Sequence, residues 1–263
     1  QQRILGAEHP EPLASQHNLA RVLGDQGKLN EAETMLRRGL EIELRLFGSE
    51  NPSPLITQNS LSKVLGDQGK IDEALRLCRQ TLRSQQQLLG PENPSTLKTQ
   101  KNLASLLADH HGDSTEAEKL FREVLASERK TSGTGKLGLA ATLAGLGSLL
   151  IDNGRAGEAE SLLRECLEIR EKHLPADHWH RSSARSLLGG ALAKHGKFAE
   201  AEPLLLDGYE GLSRAKYVPP KQVSRAIYRL VELYEKWGKP GRAAEWKAKL
   251  ALMDLPNDVF AGP

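Results

Sequence analysis

Apolar residues recur at helical spacing along the chain, in blocks that repeat about every 42 positions. Within residues 19–23 and 103–107 they fall on one face of an α-helix. The segment Leu-Gly-Asp-Gln-Gly-Lys at 23–28 occurs again, unchanged, at 65–70. Repetition of this length predicts a fold built from stacked copies of one helical unit.

A glycine ends the first helix of each unit, since glycine readily takes the left-handed conformation that terminates a helix. The glycines are 42 or 43 positions apart: Gly27, Gly69, Gly112, Gly154, Gly196 and Gly238. An alanine stands five positions after each glycine: Ala32, Ala74, Ala117, Ala159, Ala201 and Ala243. A small side chain there lets a second helix pack closely on the first, so each unit is predicted to be an antiparallel helical hairpin. We expect Asn30 and Asp72 to cap second helices, with Glu33 completing a capping box.

Proline-containing joins separate the hairpins, at residues 5–13, 47–55 and 89–97. In each join a glycine ends one helix and a proline stops it from continuing. The predicted fold class is therefore all-α: an α-solenoid of about six hairpins, with twelve helices, forming a right-handed superhelix.

We expect a single domain over 1–263. The predicted repeats are 6–47, 48–89, 90–132, 133–174, 175–216 and 217–253, followed by a C-terminal tail at 254–263. Residues 1–5 align with the end of a second helix, so we expect the chain to begin inside an upstream repeat. The polar last helix suits a capping repeat.

Composition narrows the function classes. Aromatic residues make up only 4% of the chain, which suits closely packed helices better than one large core. The net charge of +2 gives no long-range attraction to nucleic acid or to membranes. Cys78 and Cys166 are too few and too far apart for a disulfide framework, and the opening residues lack the apolar stretch of a signal peptide. We therefore expect a cytoplasmic protein.

The small residues Ala20, Ala32 and Gly39, with leucines between them, resemble the tetratricopeptide repeat (TPR). The 42-residue period, the Leu-Gly-x-x-(His/Asn)-Pro joins and the pattern Asn-Leu-Ala-x-x-Leu resemble the kinesin-light-chain type of that repeat. This resemblance covers almost the whole chain. Residues 163–250 are also similar to the TPR regions that follow serine/threonine kinase domains in some bacterial signalling proteins.

The resemblance implies that the first helix of each hairpin lines a concave groove. It also implies that Asn18, Asn59 and Asn102 bind the backbone of an extended peptide, since an amide both donates and accepts hydrogen bonds. The alternative is that these asparagines are solvated polar residues on a helix face. The predicted groove residues are His17, Asn18, Arg21, Asn59, Lys63, Lys98, Lys101, Asn102, Ser105 and Ser148.

Two features of the predicted groove bear on its ligand. Its cations, with Asp25, Asp67 and Asp109 nearby, favour a ligand with acidic residues flanking an apolar one, or they form an ordinary mixed-charge face. The fourth hairpin has no charge over 137–151, where Ala141, Ala144 and Ser148 fall toward the groove. This stretch is an apolar pocket, a self-association surface or a site of tight packing.

Catalytic chemistry is not indicated. Residues 110–111 and 177–180 lack four metal ligands at a recognised spacing, and 133–136 lacks the first glycine and the strand of a phosphate-binding loop. We predict no cofactor, no metal and no enzyme activity.

The predicted function is a protein-protein interaction scaffold that binds an extended peptide or a partner helix in the groove, as part of a larger signalling protein. The predicted partner is a protein or peptide, acidic with an apolar anchor, and not nucleic acid or a membrane; self-association is a further prediction. Two alternatives stay open. One is a nucleic-acid-binding helical repeat, and the other is a self-association module attached to an upstream kinase domain.

Overall fold

The structure, a computed structural model, describes residues 10–49, 51–109, 114–130, 135–216 and 218–253. These residues form twelve α-helices and no strand. The predicted all-α solenoid of six helical hairpins is confirmed.

Each hairpin consists of two consecutive helices. The first helices are α1 (Pro10–Asp25), α3 (Pro52–Asp67), α5 (Pro94–Asp109), α7 (Lys136–Asp152), α9 (Trp179–Lys194) and α11 (Pro220–Lys236). The second helices are α2 (Leu29–Phe47), α4 (Ile71–Leu89), α6 (Ser114–Lys130), α8 (Ala156–His173), α10 (Phe198–Arg214) and α12 (Pro240–Met253). The helices group into an N-terminal unit, Gln1–Lys130, and a C-terminal unit, Thr131–Pro263. The single domain predicted over 1–263 stays a prediction.

Asparagine and proline together start two of the first helices. Asn51 is the N-cap of α3, where its Oδ1 accepts a hydrogen bond from the backbone N–H of Ser53 at 2.9 Å. Asn93 accepts in the same way from the N–H of Ser95, at 2.9 Å. The proline after each asparagine takes the first helical turn, where its missing N–H is not needed. These joins therefore begin the next helix as well as ending the previous one.

The second helices begin earlier than the sequence suggested, and the predicted caps Asn30 and Asp72 were wrong. Both residues lie inside the first turn of their helices, and no side chain caps α2 or α4. The reason is the tightness of the preceding turn. Gly69, with φ of 82°, lets the N–H of Lys70 bond to the carbonyl of Leu65 at 2.9 Å, so that α4 starts at the next residue.

The alanine after each turn lies where the two helices of a hairpin meet. Ala32, Ala74, Ala117, Ala159 and Ala201 are fully buried, and Ala243 is 4% exposed. The residues one helical turn later are also buried: Leu36, Cys78, Phe121, Leu163 and Leu205. The predicted close approach of paired helices is confirmed.

Within each unit, consecutive first helices pack directly on one another. Helix α3 contacts both α1 and α5, and α9 contacts both α7 and α11. In the described residues the second helices are bridged instead by long charged side chains, such as Arg37 to Glu73 at 2.7 Å and Arg79 to Glu116 at 2.6 Å. Because helices on the inner side of a curved stack lie closer together, the first helices line the concave side of each unit.

Several sequence predictions concern residues outside the described part of the chain. These are the upstream repeat end at 1–5, the histidines and glycine at 110–112, the loop residues 133–134 and the tail at 254–263. Among the helices that are described, none is long and apolar enough to cross a membrane.

Candidate functional site

The predicted groove residues lie on the first helices but differ in exposure. Asn18, Arg21, Lys63, Lys98 and Ser105 are exposed; His17, Lys101, Asn102 and Ser148 are half-buried; Asn59 is buried. All of them except Asn59 therefore present accessible surface on the concave layer of their unit.

The three asparagines do not share one position in the repeat. Asn18 and Asn102 each stand eight residues after the proline that starts their helix, whereas Asn59 stands seven after its proline. One residue turns a helix by about 100°, which moves Asn59 off the accessible face and leaves it 3% exposed. The expectation of three equivalent amides was wrong for Asn59.

Side chains at these two positions join consecutive first helices of the N-terminal unit. Nδ2 of Asn102 donates to Oδ1 of Asn59 at 2.9 Å, and Nε2 of His17 lies 2.8 Å from Oγ of Ser60. In both pairs the residue seven positions into one helix meets the residue eight positions into the next. Side chains that were predicted to bind a peptide, those of His17, Asn59 and Asn102, thus form hydrogen bonds between helices of the stack.

The C-terminal unit has an equivalent link that the sequence analysis missed. Nη1 of Arg229 donates to Oγ of Ser186 at 3.2 Å, and the arginine side chain lies against Gly190. Burial lowers the pKa of Arg229 to about 10. Counting back nine residues from Gly238 reaches Arg229, just as counting back nine from Gly27 reaches Asn18. Aligning the repeats on their glycines could therefore have identified Arg229 as the residue equivalent to Asn18.

Four cations converge on the concave side of the N-terminal unit. The charges of Arg21 on α1, Lys101 on α5 and Lys63 on α3 act on Lys98, whose pKa is lowered first by loss of water around its amine and then by these charges. Two members also have acidic partners: Asp67 lies 3.0 Å from Lys63, and Glu128 lies 3.4 Å from Lys101. We call Arg21, Lys63, Lys98 and Lys101 the cation cluster. The arrangement suits a ligand that carries carboxylates.

Packing accounts for the uncharged helix of the fourth hairpin. Ten of the 17 residues of α7 are buried, including Leu143, Leu146 and Leu150. A side chain at Gly147 would meet Leu163 of α8 at 2.7 Å, so the two helices are in close contact. The apolar side chains of α7 that stay accessible are Leu137, at 45% exposure, and Ala141, whereas Ser148 is half-buried.

Histidine and cysteine have structural roles in the described residues. Nδ1 of His178 accepts from the backbone N–H of His180 at 3.2 Å and so caps α9. Burial lowers the pKa of His180 to about 4 and raises that of Cys78 to about 11. Both cysteines are fully buried. In the ranges that the structure describes, no group of three His, Cys, Asp or Glu side chains could hold a metal ion.

Models of the tetratricopeptide repeat match the sequence at residues 13–53 and at 53–130, 110–172 and 138–214. The matches together extend over more than half of the chain, which therefore belongs to the tetratricopeptide repeat family. The fold of this family supports protein-protein interaction, and its repeats are generally non-catalytic.

Solved structures with this fold include relatives of kinesin light chains. A putative kinesin light chain of Podosopora anserina with nearly identical TPR-like repeats is 30% identical, with a TM-score of 0.60 over 78% of this chain and 97% of that chain. BtubC (BKLC) from P. vanneervenii is 17% identical, with a TM-score of 0.64 over 86% and 90%.

A Rap protein complexed with competence and sporulation factor is 14% identical, with a TM-score of 0.65 over 90% of this chain and 73% of that chain. At such low identity, this match and the one to BtubC show a shared fold alone. A search of curated protein sequences gives no significant match.

Proposed function

We propose that the concave side of the N-terminal unit binds an extended, acidic segment of a protein partner. The observation that carries this proposal is the convergence of the cation cluster from three successive first helices. Loss of water around its amine chiefly, and then repulsion from the other three cations, lowers the pKa of Lys98. A carboxylate placed among them relieves that repulsion, so an acidic ligand gains more here than at a scattered set of lysines.

The neighbouring side chains support an extended ligand with an apolar anchor. The amide of Asn18 is exposed, and the carbonyl oxygen of Asn102 is not used in its bond to Asn59. Both amides can therefore pair with a peptide backbone. Ile56 is 40% exposed and holds on α3 the position that Lys98 holds on α5. An apolar side chain of the ligand would pack there, beside the cations.

The test is a binding titration with labelled synthetic peptides in which aspartates and glutamates flank a single leucine, alongside versions with asparagine and glutamine. We expect only the acidic peptides to bind, and salt to weaken their binding. The double variant Arg21→Gln, Lys98→Gln should bind about tenfold more weakly or worse. The matched control is Arg38→Gln, Lys130→Gln, which removes the same charge from exposed positions on second helices.

Two results would contradict the proposal: equal binding of acidic and neutral peptides, or equal losses in the two double variants. Single-stranded RNA in the same titration tests the nucleic-acid alternative, since RNA binding at low salt that the acidic peptides do not compete for would favour it. A place in a larger cytoplasmic signalling protein, attachment to a kinase domain and self-association stay predictions.

A further inference from the structure

A cavity of about 420 Å³ opens beside the cation cluster, among α1, the end of α2 and the start of α3. Phe47 and Ile56 form apolar parts of its wall, and Glu43, His17 and Asn18 form polar parts. The volume is that of a small ligand-binding cleft. The cavity therefore has both the space and the mixed lining to take a long side chain with a polar end.

Glu43 is the unusual group in this wall. It is 5% exposed, and its Oε1 accepts a hydrogen bond from Oγ of Ser53 at 3.1 Å. Its Oε2 is enclosed and has no hydrogen-bond partner among the residues that the structure describes. Buried polar atoms are normally satisfied, because leaving one without a partner costs free energy. The carboxylate thus indicates a missing donor.

The third hairpin shows what the first one lacks. Glu128 holds on α6 the position that Glu43 holds on α2, and Lys101 holds on α5 the position of His17 on α1. Nζ of Lys101 lies 3.4 Å from Oε1 of Glu128, and both side chains are mostly enclosed, at 17% and 15% exposure. An ammonium group thus serves the carboxylate in the third hairpin.

His17 does not supply that positive charge in the first hairpin. Oγ of Ser60 donates to the carbonyl of Ile56 at 3.2 Å, so it accepts from Nε2 of His17. This bond places a proton on Nε2; in the neutral imidazole Nδ1 is then an acceptor. Burial, together with the charges of Lys98 and Arg21, lowers the pKa of His17 and favours this neutral form.

We propose that the cavity binds the ammonium group of a lysine side chain with Glu43 as counter-ion, and that this lysine belongs to the acidic segment bound by the cation cluster. The second half of this inference rests on the proposed function. The methylene stem of the lysine would pack on Phe47 and Ile56 while its head reaches the carboxylate. Arg21 lies one helical turn beyond His17, about 6 Å along α1. The lysine therefore stands one or two residues from an acidic residue in the ligand.

The direct test uses n-butylammonium, which is a lysine side chain without its backbone. Titration of the isotopically labelled protein, followed by amide NMR, should give saturable shifts at Glu43, Ser53 and His17. The neutral analogue n-butanol should give none. Glu43→Gln, which keeps the acceptor for Ser53, should weaken amine binding about tenfold or more. The matched control Glu128→Gln removes the equivalent carboxylate of the third hairpin and should leave amine binding at Glu43 unchanged.

A second variant tests the site by filling it. His17→Lys recreates in the first hairpin the pairing seen between Lys101 and Glu128, so it should abolish amine binding, and the new ion pair should offset the lost hydrogen bond to Ser60 in the melting temperature. The inference is overturned if the native protein does not bind the amine, or if Glu43→Gln or His17→Lys binds it as well as the native protein does.

Peptides separate the two proposals. Replacing a lysine next to the acidic residues with norleucine should weaken peptide binding about tenfold in the native protein and have little effect in Glu43→Gln. If acidic peptides bind but the amine does not, the lysine site is wrong and the proposed function stands. If the amine binds but acidic peptides do not, the proposed function fails, and with it the assignment of the lysine to an acidic segment.

Discussion

Asn102 donates a hydrogen bond from Nδ2 to Oδ1 of Asn59 at 2.9 Å, and this bond joins two consecutive first helices. Asn59 is 3% exposed, so the bond is shielded from water on that side. A polar pair in such a place fixes the sliding position of one helix against the next, because any shift would leave a buried amide unpaired. The pair is therefore part of the stacking of the repeats before it is part of any binding surface.

Asn59→Ala should lower the free energy of unfolding by about 1–3 kcal/mol, since it removes a buried hydrogen bond and leaves space behind. Asn18→Ala, at an exposed position, should change it by about 0.5 kcal/mol or less. Urea unfolding measures both values. Equal stability of the two variants would show that the bond between Asn59 and Asn102 contributes nothing to the stack.

The helices themselves could be predicted because their causes are local. A glycine turn and an alanine contact recur in every repeat, and each acts within one hairpin. The register of Asn59 could have been read from the sequence, because the 42-residue offset aligns Asn18 with Ser60; matching Asn59 to Asn18 by residue type alone set it one position off. In a helix, one position decides between a surface and a buried side chain.

Side-chain contacts between repeats were harder to predict from the sequence than the helices were. That Oε2 of Glu43 lacks a hydrogen-bond donor, while Glu128 has Lys101, becomes evident only in the three-dimensional structure. In the same way, Glu33 looked like a member of a capping box. The structure shows instead that Glu33 accepts a hydrogen bond from Lys70 of the following repeat, because long side chains connect the second helices.

Gly39 and Gly208 hold the same position in their second helices but should respond in opposite ways to alanine. A Cβ at Gly208 would lie 2.8 Å from the backbone N of Ser186 and 2.9 Å from the carbonyl oxygen of Ser182. Helices α9 and α10 would have to separate, so Gly208→Ala should cost about 1–3 kcal/mol. At Gly39 no described atom lies within 4 Å of the added carbon.

Gly39→Ala should therefore stabilise the protein by about 0.5–1 kcal/mol, through the better helix propensity of alanine. Thermal or urea unfolding of Gly39→Ala and Gly208→Ala measures both changes in stability. A loss at Gly39 as large as the loss at Gly208 would contradict the close approach of α9 and α10 as the cause.

Cys78 and Cys166 should be unreactive in the native protein. Both are fully buried, and burial raises the pKa of each thiol, to about 11 for Cys78. Because the thiolate is the reactive species, a disulfide reagent at mildly alkaline pH should label neither residue until the chain is unfolded. Rapid labelling under native conditions, counted by mass spectrometry, would show that the helices around these residues open easily.

Stability should fall in acid because two glutamates at equivalent positions hold repeats together. Hydrogen bonds from Lys70 chiefly, and from Gln68 and Arg37, lower the pKa of Glu33 from its usual 4.5 to about 2. Hydrogen bonds from Lys197 chiefly, and from His195 and Arg164, lower the pKa of Glu160 to about 2 as well. A carboxyl whose pKa is lower in the folded state stabilises that state above pH 4.5, and the contribution is lost as the pH falls from 4.5 towards 2.

Each glutamate should contribute about 1 kcal/mol, well below the full value of its pKa shift, because its lysine and arginine partners are about half exposed and screened by water. Urea midpoints measured across this pH range test the claim. Glu33→Gln should reduce the loss of stability in acid, and adding Glu160→Gln should reduce it further, since the two sites share no partner. Glu41→Gln, at an exposed position on the same helix as Glu33, is the control. If Glu33→Gln keeps the acid sensitivity of the native protein while its stability at neutral pH is also unchanged, the bond from Lys70 to Glu33 does not hold the first two repeats together.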